Sequence, residues 1–236
     1  MTDSPYTQDQ VAFLAQLDAV IEKHSMLKHP FYQAWSEGKL SKETLREYSK
    51  QYFAHVNRFP TYVSAVHSRC DDLPTRQILL DNLVEEEQGE TNHPELWLQF
   101  ADGLGASKDS VRSAELLSQT RESVAAMQRL TCSADYRQGV AALYAYESQV
   151  PEVAKTKREG LKEFYGVDKP DVVEYFSVHE EADVLHREGE RQILAQNCST
   201  DEAKAAAVAA AESAAKALWT FLDGVHEAYA LGGTSA

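Results

Sequence analysis

Thiols are scarce in this chain, and the few present are scattered. Cys70, Cys132 and Cys198 are odd in number and far apart, so neither a zinc-type cysteine pair nor a disulfide framework is expected. Basic residues are also few: 23 lysines and arginines stand against 37 acidic residues, for a formal net charge of −14. That balance argues against a nucleic-acid backbone or an anionic membrane as a partner and favours plain solubility. No long unbroken apolar run could span a bilayer; the alanine-rich stretch 203–217 is interrupted by Lys204, Glu212, Ser213 and Lys216 and reads as a soluble helix. The first ten residues are polar and carry no apolar signal core, so a reducing, cytoplasmic setting is the expectation. Alternating strand patterns are scarce as well, which leaves helices.

Helical periodicity is what the sequence has in abundance. Val11, Leu14, Leu17, Val20 and Ile21 form one apolar stripe of a first helix. A short segment follows His29-Pro30 and closes at Gly38. Ser41 is positioned to cap a helix rich in aromatics, among them Tyr48, Tyr52, Phe53 and Phe59, which Pro60 interrupts. Asp71-Asp72-Leu73-Pro74 is a turn that starts another helix, holding Glu85-Glu86-Glu87. Residues 103–110 read as a loop and 113–130 as an amphipathic helix. The pattern from Tyr136 to Tyr165 is long, with a kink expected at Pro151, which cannot donate to the carbonyl of Glu147. Lys169-Pro170-Asp171 opens a further helix, and Ser199-Thr200-Asp201-Glu202 is a capping-box string before the last one. No repeat, linker or low-complexity boundary divides the 236 residues, so a single all-α bundle over residues 1–236 is expected, with 1–8 and 232–236 as flexible ends.

The string His179-Glu180-Glu181-Ala182-Asp183-Val184-Leu185-His186 stands out within that bundle. At roughly 100° per residue, His179, Asp183 and His186 fall within about 60° on one helical face. Two imidazoles and a carboxylate on one stripe form a metal-ligand constellation, and the rest of the chain must supply partners. Glu86 and His93 are seven apart and share a face if the helix holds through Gly89. Glu147 lies among apolar and aromatic neighbours, and a carboxylate carried into a core needs a cation or a proton. Glu86, His93, Glu147, His179, Asp183 and His186 together suit two metals with mixed oxygen and nitrogen ligands. The lack of thiolates points to iron or manganese and away from iron–sulfur and structural zinc. Helical bundles build such centres from facing helices; oxygen activation and two-metal hydrolysis both remain open from ligands alone. His24, His29, His55, His67 and His226 read as packing or surface residues.

At these residues the chain resembles the haem-oxygenase-like dimetal oxidases, whose ligands run Glu, His, Glu, then His-x3-Asp-x2-His. More closely it resembles the self-sacrificing para-aminobenzoate synthases named for a Chlamydia protein that associates with death domains. The strings that carry the likeness are Met26-Leu27 with Phe31-Tyr32, His67-Ser68-Arg69-Cys70-Asp71-Asp72-Leu73, and Leu80-Asp81-Asn82-Leu83. They continue in Gly139-Val140-Ala141-Ala142-Leu143-Tyr144, Tyr146-Glu147-Ser148-Gln149 and His179-Glu180-Glu181-Ala182-Asp183-Val184. The resemblance implies a haem-oxygenase-like (TenA/PqqC-like) single-domain helical bundle. It also implies a dinuclear Fe/Fe or Mn/Fe centre, with dioxygen and an external reductant as co-substrates. By residue-level match, Tyr32 would be the tyrosine whose side chain is cut to give the benzoate skeleton and Lys157 the nitrogen source, once per chain, for folate synthesis. Tyr48, Tyr146 and Tyr175 match further tyrosines that flank the site or relay electrons.

The residues alone say less about those two. Tyr32 is ordinarily a core or surface aromatic, and Lys157 stands among charged neighbours and reads as a solvated helix residue. Related-looking vitamin-degrading folds use a cysteine nucleophile, but Cys132 has no partner base in view and reads as a buried structural thiol. The alternatives are a dimetal oxygenase acting on an external amine or fatty acid, a cofactorless or thiaminase-like enzyme, and a non-enzymatic interaction protein whose acidic surface docks a basic partner. A homodimer is a candidate assembly.

Overall fold

The computed structural model describes residues 5–89 and 91–231, with the side chains of 181–184 outside the description. The outermost parts of the expected flexible ends, 1–4 and 232–236, lie outside it too. Twelve α-helices follow one another in the described residues. They are α1 (Gln8–Lys23), α2 (Pro30–Ser36), α3 (Lys42–Val56), α4 (Phe59–His67), α5 (Leu73–Glu87) and α6 (His93–Gly103). Then come α7 (Lys108–Arg112), α8 (Ser118–Thr131), α9 (Tyr136–Glu147), α10 (Val150–Gly160), α11 (Pro170–Asn197) and α12 (Asp201–Val225). Single π-helical turns extend α10 over Leu161–Tyr165 and α12 over His226–Ala230. No strand occurs among the described residues, as the all-α expectation requires. No helix is long and apolar enough to cross a membrane.

The chain's prolines start helices more than they break them. Six of the seven lie in the first turn of α2, α4, α5, α6, α10 or α11, where the missing N–H has no intrahelical partner to lose. The kink expected at Pro151 is therefore a full break at Ser148 and Gln149, just before it. Side-chain caps set other starts. Thr7 and Gln10 form a reciprocal capping box on α1, Ser41 accepts from the Thr44 N–H, and Asp72 accepts from that of Thr75. At α12 the cap is Thr200, which accepts from Ala203, and not Ser199 of the expected box.

Three other expectations need correction. Val11 is 46% exposed, and Phe13 takes its place in the buried stripe of α1. The expected helix 113–130 begins only at Ser118, and the preceding loop contains α7. Cys132 is exposed rather than buried, because it follows the end of α8.

The core is one connected cluster. On one side α12 packs against α9, α8 and α1 through an alanine seam. On the other, α11 packs against α10, α6, α9 and α5, and α3 packs against α6. The second side holds the polar residues singled out from the sequence.

Candidate metal centre

Two helices meet end to start at the centre. α5 stops after Glu87, and Gly89 then takes φ +93°, a left-handed conformation that only glycine adopts without strain. Asn92 caps the next helix by accepting from the Glu95 N–H, so His93 is the first residue of α6. The helix does not continue through Gly89 as the shared-face reading required. The turn delivers the same result by another route: His93 Nδ1 lies 2.9 Å from Glu86 Oε1.

α11 brings His179 to this pair. Its ring centroid is 4.4 Å from that of His93. One ligand atom each from Glu86, His93 and His179 lies within 4.8 Å of the others, and all three residues are buried. Tetrahedral ligands at about 2.1 Å from a cation stand about 3.4 Å apart, so small side-chain adjustments close the trio on one ion. His179 Nδ1 donates to the Tyr175 carbonyl at 2.6 Å. A carbonyl only accepts, so the ring proton sits on Nδ1 and Nε2 presents its lone pair, the usual support for a metal-binding histidine.

A second group stands beside the first. Glu147, at the end of α9, lies 3.2 Å from His186 Nδ1, and the other ring nitrogen, Nε2, lies 2.9 Å from Glu85 Oε2. The Asn82 amide donates to both Glu147 oxygens at 2.9 and 3.1 Å. Asp183 lies between His179 and His186 on α11, but its side chain is outside the described residues. Five of the six expected ligands thus form two adjoining groups, and their oxygen–nitrogen donor set fits iron or manganese. Electrostatics agree. Burial, with His93 nearby, holds the His179 imidazole far below its ordinary value and therefore neutral. Burial raises the Glu86 carboxyl, and the hydrogen bond to His93 opposes it. A cavity of about 10 Å³ opens among Phe59, Glu86, Tyr146, Glu147, Tyr175 and His179, room for one water or a diatomic molecule.

An aromatic chamber adjoins the centre. Tyr175 stacks within 4.0 Å of the His179 ring, and Trp97 is 4.8 Å from Tyr175. Tyr52 is 4.9 Å from Trp97, Tyr48 is 5.5 Å from Tyr52, and Tyr32 is 6.2 Å from Tyr48. Two hydrogen-bonded pairs flank this row: the Tyr146 and Tyr52 hydroxyls at 2.6 Å, and those of Tyr48 and Tyr32 at 2.9 Å. Lys157 is not the solvated residue its neighbours suggest. It is 4% exposed, its Nζ stands 4.8 Å from the centroid of the Tyr32 ring, and it donates to Tyr48 Oη at 2.6 Å. Burial alone drives its amine well below the ordinary lysine range, which favours the neutral, nucleophilic form. Burial likewise raises the Tyr32, Tyr48 and Tyr146 hydroxyls, so all three remain protonated phenols.

Sequence reasoning missed Asn82, Glu85, Tyr52 and Trp97. Asn82 precedes Glu86 by four and Tyr52 follows Tyr48 by four, so helical spacing carried a signal for both. Trp97 lies four past His93 and had the same signal. Glu85 read as one of an acidic run, and nothing in the sequence separates it from Glu87. His29 and His55 are buried packing histidines, as expected: His29 accepts from the Phe31 N–H and pairs with Asp223 at 3.0 Å, and His55 meets Ser123 at 3.0 Å.

Residues 46–219 match the model of a family described as iron-containing redox enzymes of haem-oxygenase type. The chain is 45% identical over 226 residues to a 4-aminobenzoate synthase of Nitrosomonas europaea, covering 92% of each protein. It is 43% identical over 211 residues to a 4-aminobenzoate synthase of Chlamydia trachomatis, covering 89% of this chain and 90% of that one. Among solved structures, a TenA homologue from Pseudomonas syringae superposes with a TM-score of 0.81 at 15% identity, covering 96% of both chains. At that identity the likeness speaks for the fold.

Proposed function

The chain belongs to the haem-oxygenase-like iron-containing redox enzymes and, within them, to the 4-aminobenzoate synthase family, and we propose that it makes para-aminobenzoate from its own side chains. In this reading Tyr32 supplies the ring, Lys157 supplies the nitrogen, and each chain turns over once, feeding folate synthesis. Two metal ions serve the reaction, di-iron or manganese–iron. Glu86, His93 and His179 would hold one, and Glu147, His186 and Asp183 the other. When bound, such a pair supplies the reduction of dioxygen, with electrons from an external reductant, and thereby the oxidising power.

The observation that carries the reading is the position of Lys157. A buried amine is expensive, and this one is held against the ring of Tyr32 from 125 residues away in sequence. The remaining steps follow from the chain's own groups. Oxidation of a phenol releases its proton, which must go somewhere in a dry chamber. Tyr32 passes it to Tyr48, and the neutral Lys157 amine, which both donates and accepts, receives it. The rings from Tyr175 through Trp97 and Tyr52 to Tyr48 give electrons a path in contact steps, so Tyr32 need not touch the metals. The enclosing aromatics exclude water, which protects an oxidised ring from side reactions.

Intact-protein mass spectrometry tests this after anaerobic loading with iron, or iron and manganese, then reductant and oxygen. Mass loss at Tyr32 and Lys157, no more than one product per chain, and no product from Tyr32→Phe or Lys157→Arg are expected. Many products per chain with both residues intact would instead establish an oxygenase acting on an external small molecule.

A further inference from the structure

Tyr32 is 2% exposed, and its ring is boxed by Phe31, Trp35, Tyr48 and the Lys157 side chain. The walls of that box have ties besides those to Tyr32. The Trp35 indole donates to the Lys157 carbonyl at 3.2 Å. Behind it sits Gly160, where a Cβ would come within 2.9 Å of the indole, so the indole is wedged against the α10 backbone. Tyr48 is held by Lys157 at 2.6 Å and stacks on Tyr52. Trp97 donates to the Ser49 carbonyl at 2.8 Å. Walls tied by their own hydrogen bonds collapse little when a neighbour is cut away, and enclosed apolar cavities of about 150 Å³ stay dry and bind benzene.

We propose that loss of the Tyr32 ring leaves a binding site for a neutral para-substituted phenol, its hydroxyl on Tyr48 Oη and its ring against Lys157 and Trp35. The chemistry selects this class. The walls are aromatic, so a flat ring fills the void. Tyr48 Oη loses the partner it had at 2.9 Å, and a phenolic hydroxyl at that position restores the bond. The contacts described around Tyr32 include no carboxylate and no arginine, and burial favours the neutral form of the Lys157 amine beside the ring, so a neutral ligand is favoured over an anion. The box itself is independent of the proposed function; its relevance to a spent chain rests on that reading, under which the Lys157 nitrogen is also taken and Tyr48 and Trp35 are the walls that remain.

The test uses the full-length, metal-free chain and p-cresol, the excised side chain itself. Titration calorimetry and thermal melting are compared for wild type, Tyr32→Gly and Tyr32→Ala. Both variants should bind one p-cresol at least tenfold more tightly than wild type and melt higher in its presence. Adding Tyr48→Phe should weaken p-cresol by about tenfold, the value of one hydrogen bond, and leave toluene binding unchanged. Equal binding to wild type, no binding to either folded variant, or a parallel loss of toluene would overturn the site. Should neither variant fold alone, recovery of a cooperative melt with p-cresol supports the site, and no recovery overturns it. Whether Tyr32 is consumed in the wild type is decided separately by mass spectrometry, so one idea can fail without the other.

Discussion

The two interiors of this bundle are equally dry and oppositely made. Along α12, Ala207, Ala211, Ala214 and Ala215 are fully buried, and small side chains let α9, α8 and α1 approach closely. The buried residues of α12 are all apolar. Across the molecule, an amine, several phenols, imidazoles and carboxylates are buried in neighbouring groups. Burial of apolar surface stabilises the first region. Burial of Lys157, Glu86 and Glu147 opposes folding in the second. The seam therefore acts as a scaffold that tolerates a destabilising chamber. Substitutions on the two sides should accordingly move stability and chemistry in different combinations.

The largest effects should fall on metal retention. His179→Ala removes a ligand from the buried trio and should lower the affinity for iron or manganese by more than about 100-fold, with the metal-free fold intact. Asn82→Ala leaves every ligand in place but frees the Glu147 carboxylate, so a loss of about 10–100-fold is expected. Elemental analysis after dialysis, alongside circular dichroism, reads both. Undiminished metal in His179→Ala would remove the centre from this place.

Lys157→Met should separate stability from function. Removing a desolvated amine for an apolar chain of similar length relieves a cost of folding, so the metal-free protein should melt several degrees higher, at about 2–4 °C per kcal/mol for a chain of this size. Product formation should vanish. A lower melting temperature would mean that the hydrogen bond to Tyr48 outweighs the burial. Ala211→Leu should do the reverse. Overpacking the seam costs about 1–3 kcal/mol, yet metal stoichiometry below the melt should stay as in wild type.

How much of this was legible beforehand follows from how each contact is made. Glu86, His93, Glu147, His179 and His186 stood out as candidates because such side chains are rare in a core, and all five are buried. The all-helical bundle was legible from periodicity, and Ser41 and Asp72 from cap chemistry. The break at Gly89 was not: spacing suggested one helix face, whereas a left-handed turn carries His93 to Glu86. Lys157 was legible only through family likeness. Its neighbours Lys155, Arg158 and Glu159 describe the outer faces of α10, and the burial of one face is decided by α2, α3 and α6, far away in sequence. Tyr52 and Trp97 were hidden for the opposite reason, since aromatics in a core are ordinary and only contact with Tyr146, Tyr48 and Tyr175 gives these two a role.

Histidine burial offers the last and smallest distinction between the regions. His55 is fully buried against Ser123, outside both groups of candidate ligands, and burial pushes its pKa down to about 3. The unfolded chain protonates this ring near its ordinary value of about 6.5, while the folded chain resists until about pH 3. Stability from His55 is therefore complete above pH 6.5 and is lost as the pH falls below it, by about 2 kcal/mol at pH 5. His179, also held neutral by burial, should add acid sensitivity of the same sign in metal-free protein. A bound metal should change that, since it occupies the lone pair a proton would take and favours the deprotonated ring. Denaturant melts of wild type and His55→Gln, each with and without metal, separate the two. The difference between the two proteins should shrink by about 2 kcal/mol from pH 7.5 to pH 5 whether or not metal is present, while the acid sensitivity common to both should diminish when metal is added. If metal instead abolished the His55-dependent part, His55 would be coupled to the centre through Tyr52 and Tyr146, whose rings it meets, and the separation of the two interiors would not hold.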